Sequence, residues 1–543
     1  MLNKKNAEVK IAFFLILVFF AVFLAMPLLT LLWKSFHTEG AVGLANYIKA
    51  IKDKQLLAAL YNSVRVSFAA AVVTTLLAFL LSYAMNYTTI GFWCKEFVKT
   101  GVVLPMLLPS ITYGFAIIYS FGKQGLITKL LGIELFQIYG LNGLLIGYVI
   151  YTLPPAFLIL NNAFTYVDRK FVIISSLMGD NFWRGFKNTA LRPLLGAIGG
   201  VFVLSFILSF TDFGIPVSIG GTYNVIATYL FEVMLGSIPD FDSGSVIAML
   251  MLTPVIFAVW LLNYLEKFNF HYDLAGQSEL PKKRLRDNIM AAFSLLVTIA
   301  VLAVFLVMFI APFMKNYPYD MTFTTEFFTS MVTAGDTRYI YLNSVRVACC
   351  SAFFGTLLAY LAAVVNIRSQ ISPKAKITVD VFAIMTNAVP GMVLGLAMLF
   401  FFNDSDLKGS FLLLIICNII HFFTTPYLMA KNSLSKLNPA WETTGALMGD
   451  TWLKTLARVI VPNSKSTLIE MFSYYFINAM VTISAIIFLV STVTSVLTSK
   501  IKELQHYAQF NEIFVLSLLI FATNIVVKLG CDLFSRKISA RKG

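Results

Sequence analysis

The chain has 543 residues, of which 58% are hydrophobic and only 13% charged, and its formal charge is +14. A soluble domain usually carries about 25% charged residues, so the composition excludes an ordinary soluble enzyme. The basic residues do not build a visible folded basic surface, which excludes a nucleic-acid-binding domain.

The first apolar run, 11–33, is long for a signal peptide, lacks a small-residue cleavage site and is followed by many similar runs, so it reads as a membrane span. Further runs follow near 58–85, 99–120, 141–162, 194–212 and 245–265. The polar stretch 266–288 comes next, with Pro281 and the basic cluster Lys282, Lys283, Arg284 and Arg286. Six more runs lie near 289–312, 345–366, 378–402, 410–430, 467–495 and 511–530. Most are close to the roughly 20 residues that cross a bilayer as a helix. None alternates over the ten or so residues of a barrel strand. The long runs 58–85 and 467–495 are expected to tilt or to extend beyond the bilayer. The expected fold is an all-α polytopic membrane protein of about twelve transmembrane helices. Six fall in residues 1–265 and six in 289–543, joined by a cytoplasmic linker at 266–288.

Basic residues set the orientation of such a chain. With the N-terminus inside, the inner loops and tails hold 28 of the 41 Lys and Arg residues and the outer loops hold 11. Both termini are therefore expected in the cytoplasm. The five cysteines (Cys94, Cys349, Cys350, Cys417 and Cys531) and four histidines (His37, His271, His421 and His506) show no ligand spacing. No metal or catalytic centre is expected from them. No Walker-type phosphate loop is present, so the chain is not expected to hydrolyse ATP or to bind a cofactor.

The most informative feature is an internal repeat. YNSVRVSFAAAVVTTLLAFLLSYAM at 61–85 matches LNSVRVACCSAFFGTLLAYLAAVVN at 342–366, pairing Asn62 with Asn343 and Arg65 with Arg346. PSITYGFAIIY at 109–119 matches PGMVLGLAMLF at 390–400, pairing Pro109 with Pro390 and Gly114 with Gly395. The tetrapeptide LMGD then occurs twice, as Leu177, Met178, Gly179, Asp180 and as Leu447, Met448, Gly449, Asp450. Each copy is followed by an amphipathic stretch and a proline, Pro193 or Pro462. Three matches in one order, each with an even number of spans per half, imply parallel halves related by an axis along the membrane normal. Asp180 and Asp450 are expected to cap short helices.

The two LMGD segments lie in inner loops, 163–193 and 431–464, and suit two equivalent docking sites. Their Gly and Pro arrangement resembles the coupling loop of permeases in binding-protein-dependent ABC importers. That loop carries a Glu-Ala-Ala run, then a Gly, and further on an Ile and a Leu-Pro. Gly449, Ile460 and Pro462 match its second part, and Gly179 and Pro193 do so in the first half with one extra residue between them. Glu442 lies one position too far from Gly449, and no Glu stands near Val172–Ser175. The resemblance covers almost the whole chain and is greatest to the fused permeases of the 2-aminoethylphosphonate and ferric-iron group. FTDFGIPVSIGGTYNVIATYLFEVMLG at 210–236 and EMFSYYFINAMVTISAIIFLVS at 470–491 look like the phosphonate branch. The resemblance implies a permease of the bacterial inner membrane, with two copies of a cytoplasmic ATPase that bind ATP and Mg2+. It also implies a periplasmic or lipid-anchored solute-binding protein outside.

Candidate residues of the translocation path are Asn62, Arg65, Asp212, Asn343 and Arg346. A charge inside a span is costly and often functional. A matched Arg pair in one pore would favour an anionic cargo such as an organophosphonate; long basic side chains also reach headgroups from such positions. Asn62 and Asn343 are expected to bond across helices. The segment FTDFGIP, 210–216, reads as a helix end or break because Pro216 lacks a donor, and Asp212 would then face the cargo or cap the break. Two other classes compete: an ion-coupled secondary carrier, which normally shows an acidic residue deep in a span, and a channel or membrane scaffold.

Overall fold

The computed structural model describes residues 2–38, 41–168, 170–265, 267, 283–333 and 335–540. Most of the linker expected at 266–288 lies outside the described residues, as do Arg541 and Lys542. The rest is almost entirely helical, as hydrocarbon demands: helices satisfy their own backbone groups where no water can. Among the described residues eight helices are long and apolar enough to cross a membrane. Three further pairs are bent at short breaks, Phe92–Leu107 with Ser110–Leu131 by 112°, Pro373–Ala388 with Gly391–Phe401 by 107°, and Phe411–His421 with Thr424–Ser435 by 55°. Counting each pair as one span gives eleven.

The last-but-one expected run is helical over a shorter stretch than expected. The run 467–495 is not one long helix: helix Lys465–Val481 has 17 residues and stops at Thr482, and regular helix resumes only at Leu497–His506. The intervening segment is apolar, but apolarity alone cannot distinguish a helix from a buried irregular stretch. Its hydroxyls compete for the backbone. Ser491 N–H donates to Thr494 Oγ1 at 3.0 Å, and Thr494 N–H to Ser491 Oγ at 3.3 Å.

The repeat extends through most of the structure. Antiparallel two-stranded hairpins, His37–Thr38 with Ala41–Val42 and Met314–Asn316 with Asp320–Phe323, follow the first span of each half. Short helices Ala45–Lys52 and Glu326–Thr333 come next, then helices Lys54–Tyr87 and Gly335–Arg368, each of 34 residues. Later, helix Leu195–Thr211 has the same 17-residue length as Lys465–Val481. A π-turn precedes the proline of each inner loop, at Lys187–Leu191 and Leu456–Ile460. The halves differ most at 122–140, where the first half carries an extra helix, Leu126–Leu131.

The halves do not pack as two separate bodies. The first span, Ala7–Ser35, lies against the second half, where helix Gly335–Arg368 and the bent pair 373–401 receive it. Phe20 is fully buried there, its ring 5.6 Å from Phe382 and 4.9 Å from Phe423. Reciprocally, helix Arg284–Ile310 packs on the bent pair 92–121 of the first half, with Phe305 edge-on to Tyr113 at 5.0 Å. Polar bonds cross the same boundary: Thr112 Oγ1 lies 2.9 Å from Ser517 Oγ, and Asn524 Nδ2 donates to Leu107 O at 3.0 Å.

The charge bias makes a testable statement about orientation. Lys187 and Ser435 are both exposed on the loops expected inside. Cysteines placed there are expected to react in intact cells with membrane-permeant maleimides and not with impermeant ones. Labelling of either position by the impermeant reagent would invert the topology.

Candidate functional site

Each LMGD loop folds as a short helix, a tight reversal and a second helix. In the first half these are Lys170–Leu177 and Phe182–Phe186, and in the second Ala440–Leu447 and Trp452–Thr455. Gly179 and Gly449 make the reversal at φ +72° and +82°, a left-handed conformation that costs other L-residues roughly 1–2 kcal/mol. The N–H of Asp180 returns to Ser175 O at 3.1 Å, and that of Asp450 to Gly445 O at 2.9 Å. The caps fall one residue later than expected. Asn181 Oδ1 accepts from Arg184 N–H at 2.9 Å and Thr451 Oγ1 from Lys454 N–H at 3.2 Å. Asp180 and Asp450 instead pair with Arg184 and Lys454 one turn along.

The reversal leaves two large apolar side chains at each tip. Leu177 is 82% and Met178 76% exposed; Leu447 is 84% and Met448 77% exposed. Two matched apolar tips are exposed surface of the kind that interaction sites use.

The loops are alike in backbone but not in support. Glu442 accepts from Arg368, Nε to Oε1 at 2.5 Å and Nη2 to Oε2 at 2.7 Å. Arg368 also donates to Leu437 O and Asn438 O, both at 2.8 Å. Its side chain is 4% exposed. The repeat-equivalent of Arg368 is Tyr87, whose hydroxyl donates to Thr189 O at 2.9 Å, and the equivalent of Glu442 is Val172. Thus Glu442 braces the base of its loop rather than standing at the tip. Sequence reasoning named Glu442 but missed Arg368, 74 positions earlier.

A second constellation lies at the broken helices. Helix Leu195–Thr211 stops at Asp212, φ −71° and ψ 139°; helix Lys465–Val481 stops at Thr482, φ −71° and ψ 141°. The backbone breaks alike in both halves, so the expected break at 210–216 has a counterpart at 482. The segment after each break is tied to the outer end of a 34-residue helix. Asn62 Nδ2 donates to Asn224 O at 3.0 Å and Ser63 Oγ accepts from Ile226 N–H at 2.7 Å. Asn343 Nδ2 donates to Ser495 O at 3.2 Å and Val493 O at 3.3 Å, and Ser344 Oγ accepts from Leu497 N–H at 2.7 Å. The two asparagines therefore hold broken backbone in place.

Asp212 is 7% exposed. Its carboxylate accepts from Ile215 N–H at 2.8 Å, in helix Gly214–Ile219, beside Ser110, the first residue of helix Ser110–Phe121. Ser110 and Gly214 touch so closely that a Cβ on Gly214 would collide with the Ser110 hydroxyl. In the second half the small residue has changed sides: a Cβ on Gly391 would come within 2.7 Å of Ser484 Oγ. The same exchange occurs inside the LMGD loops, where Ser175 faces Gly185 and Gly445 faces Thr455.

Arg65 and Arg346 are placed elsewhere. Each sits on an exposed stripe of its helix, with Tyr61, Phe68 and Val72 in the first half and with Leu342, Cys349 and Phe353 in the second. The buried sides of these helices pack on 141–165 and 195–211, and on 424–435 and 465–481. Both guanidinium groups are therefore exposed rather than buried between helices, and a long basic side chain reaches headgroups from such a face.

Comparison with known proteins adds to this geometry. The family model described as binding-protein-dependent transport system inner membrane component matches residues 76–269 and again 355–540. A ferric transport system permease FbpB 1 of Haemophilus influenzae is 26% identical over 504 residues, 89% of this chain and 78% of that protein. The ferric transport system permease FbpB of Actinobacillus pleuropneumoniae is 25% identical over 90% of this chain and 72% of its own length. The thiamine transport system permease ThiP of Haemophilus influenzae is 23% identical, over 65% of this chain and 66% of its own.

Two substitutions probe the loops. If the LMGD loops receive an ATPase subunit, Gly449→Asn, which tolerates the left-handed turn, keeps its capture on the purified chain. Gly449→Arg adds strain, bulk and charge between the apolar tip and its partner, and should weaken capture about tenfold or more, equivalent to roughly 1.4 kcal/mol. Equal capture by both variants would remove Gly449 from the docking surface. Arg368→Met leaves Glu442 unpaired and is expected to destabilise the fold by about 3–5 kcal/mol. Adding Glu442→Leu should restore much of that loss in a thermal unfolding assay, and no restoration would mean that the pair is not the cause.

Proposed function

The chain belongs to the family of binding-protein-dependent transport system inner membrane components, and on that footing we propose that it works between two cytoplasmic ATPase subunits and an external solute-binding protein. As an ABC importer permease it is a multi-pass membrane protein and is not itself the ATPase. The observation that carries the proposal is the pair of matched, solvent-exposed Leu-Met tips on Gly179 and Gly449. Each tip offers one ATPase copy an apolar knob. Closure of the ATPase pair on ATP would move both knobs together, and hydrolysis would release them. Both termini face the cytoplasm in this arrangement, and the membrane is the bacterial inner membrane.

For the cargo we propose an organophosphonate such as 2-aminoethylphosphonate. The support is positional. The two stretches similar to the phosphonate branch, 210–236 and 470–491, contain both helix breaks and so fall where two halves of a path diverge from plain helix. Discontinuous helices are where membrane transporters commonly hold their solutes. Ferric iron is the second reading. It is favoured by the permeases FbpB, whose names give ferric transport and whose similarity runs over about nine-tenths of the chain.

Reconstitution of the permease with its ATPase and binding protein separates these readings. The expected result is ATP-dependent accumulation of labelled 2-aminoethylphosphonate in proteoliposomes, with no accumulation of ferric iron. Accumulation of iron alone would replace the phosphonate reading with the iron one. In the same assay, Arg65→Gln with Arg346→Gln is expected to leave uptake per incorporated permease within about twofold of wild type, less than 0.5 kcal/mol. A loss of about tenfold would return the two arginines to the path.

A further inference from the structure

We infer that the start of helix Gly391–Phe401 is the site at which the permease itself holds the oxyanion of its cargo, the phosphonate group on the reading above. The N–H groups of Gly391, Met392 and Val393, the hydroxyl of Ser484 and the imidazole of His421 supply the donors. The inference rests on that cargo reading for the identity of the anion, and on the two breaks for its location.

The argument begins with a difference between matched positions. Helices Ser110–Phe121 and Gly391–Phe401 both start directly after a proline, Pro109 or Pro390, at a bend of more than 100° within a broken span. A helix start carries unsatisfied N–H groups and roughly half a positive charge. In apolar surroundings such an end requires an anion or acceptor. The first half places a carboxylate beside that start: Asp212 accepts from Ile215 N–H in the neighbouring helix Gly214–Ile219, whose Gly214 lies against Ser110. In the second half the matched residue is Thr482, with the same backbone angles and no carboxylate. Leu394 N–H bonds back to Pro390 O at 2.9 Å, which leaves the three preceding N–H groups at the open end of the helix.

The side chains around this end point the same way. His421 packs directly against it: its Cε1 lies 3.1 Å from where a Cβ on Gly391 would stand. Its Nδ1 is buried and has no hydrogen-bond partner among the described residues. One turn earlier on the same helix, Asn418 is 0% exposed, and neither its amide nitrogen nor its amide oxygen has a partner among them. Leaving such a group unpaired costs about 1–3 kcal/mol, so native proteins rarely do so without a reason. The repeat-equivalent positions in the first half are Tyr148 and Tyr151, both near enough to Asp212 to feel its charge. The half that has the carboxylate is filled by two tyrosines. The half that lacks it carries a histidine, an asparagine and a threonine, which are smaller and bring donors. An imidazole N–H, an amide NH2 and a serine hydroxyl all donate to oxyanion oxygens. No Lys or Arg belongs to the set, so binding there is by dipoles and neutral donors. A solute in transit must be held weakly enough to leave.

The test installs the first half's solution in the second. Thr482→Asp places a carboxylate at the matched position, on a backbone that already has the angles of Asp212, and Thr482→Asn is the uncharged control of the same size. The full transporter is reconstituted with its ATPase and binding protein, and uptake of 2-aminoethylphosphonate is measured beside co-purification of the ATPase. The expected result is a loss of uptake of about tenfold or more for Thr482→Asp, retention within about threefold for Thr482→Asn, and unchanged ATPase co-purification for both. His421→Phe keeps the ring but removes its N–H, and is expected to raise KM for uptake. Wild-type uptake by Thr482→Asp would overturn the inference, and so would equal losses in Asp and Asn. Should the wild-type permease accumulate only ferric iron, the cargo reading fails by itself. The same pair of variants then judges the site on the anionic ferric citrate chelate: a loss confined to Asp sustains it, and no loss overturns it.

Discussion

The arrangement depends on how a backbone can stop being helical inside hydrocarbon. An N–H or C=O released there must find a new partner. In this chain the partners come from two adjacent side chains, used twice. Asn62 and Ser63 hold the segment beyond Asp212, and Asn343 and Ser344 hold the segment beyond Thr482. The asparagine amide donates to a carbonyl and the serine hydroxyl accepts an N–H, so each pair satisfies both kinds of released group. Without them the breaks would leave unpaired peptide groups, and a continuous helix would be the better solution.

Duplication fixes the backbone more strictly than the side chains. Where two segments cross closely, one partner must be glycine, but which one is free to change. Ser110 faces Gly214 while Gly391 faces Ser484, and Ser175 faces Gly185 while Gly445 faces Thr455. Volume is conserved across each contact, whereas the hydroxyl moves from one segment to the other. The same freedom lets one half keep a carboxylate at its break and the other a threonine. It also lets Arg368 and Glu442 brace one LMGD loop, while Tyr87 and Thr189 brace the other. A single path between two matched halves therefore need not be symmetric in its chemistry.

Much of this was legible in the sequence. NSVRV and LMGD located the repeat, the matched outer anchors and the two loop tips, because each motif demands particular residues at short spacing. The spans were legible from apolar length. The interruption of 467–495 was not, because Thr482 and Ser484 are hardly less apolar in pattern than a helix interior, and only their tertiary partners show that the helix ends. The facing of Arg65 and Arg346 was hidden for a different reason. A helix with lipid on one side and protein on the other is apolar all round, so it has no amphipathic pattern to say which side is inward. Arg368 and His421 could not be singled out because their roles arise from contacts with residues distant in sequence. Pro109 and Pro390 were visible as a matched pair, and that match was the one available sign of the sharp bends.

The geometry also connects the inner loops to the breaks. Trp183–Thr211 runs as one 29-residue helical stretch from the first LMGD loop to Asp212, a distance of roughly 44 Å at 1.5 Å per residue. The second half follows the same route from Trp452 through the π-turn at Leu456–Ile460 to Thr482. A displaced tip is thus the end of a lever whose other end is the break. The first span touches the second lever at its start. Glu8 Oε2 accepts from Leu453 N–H at 3.1 Å in the second LMGD loop, whereas Asp287 Oδ2 accepts from Thr89 Oγ1 at 2.5 Å just past helix Lys54–Tyr87, off the first lever. Each half therefore holds a helix that belongs in sequence to the other. The second lever cannot swing far without carrying the first half's first span, which gives a mechanical reason for the two halves to move as one.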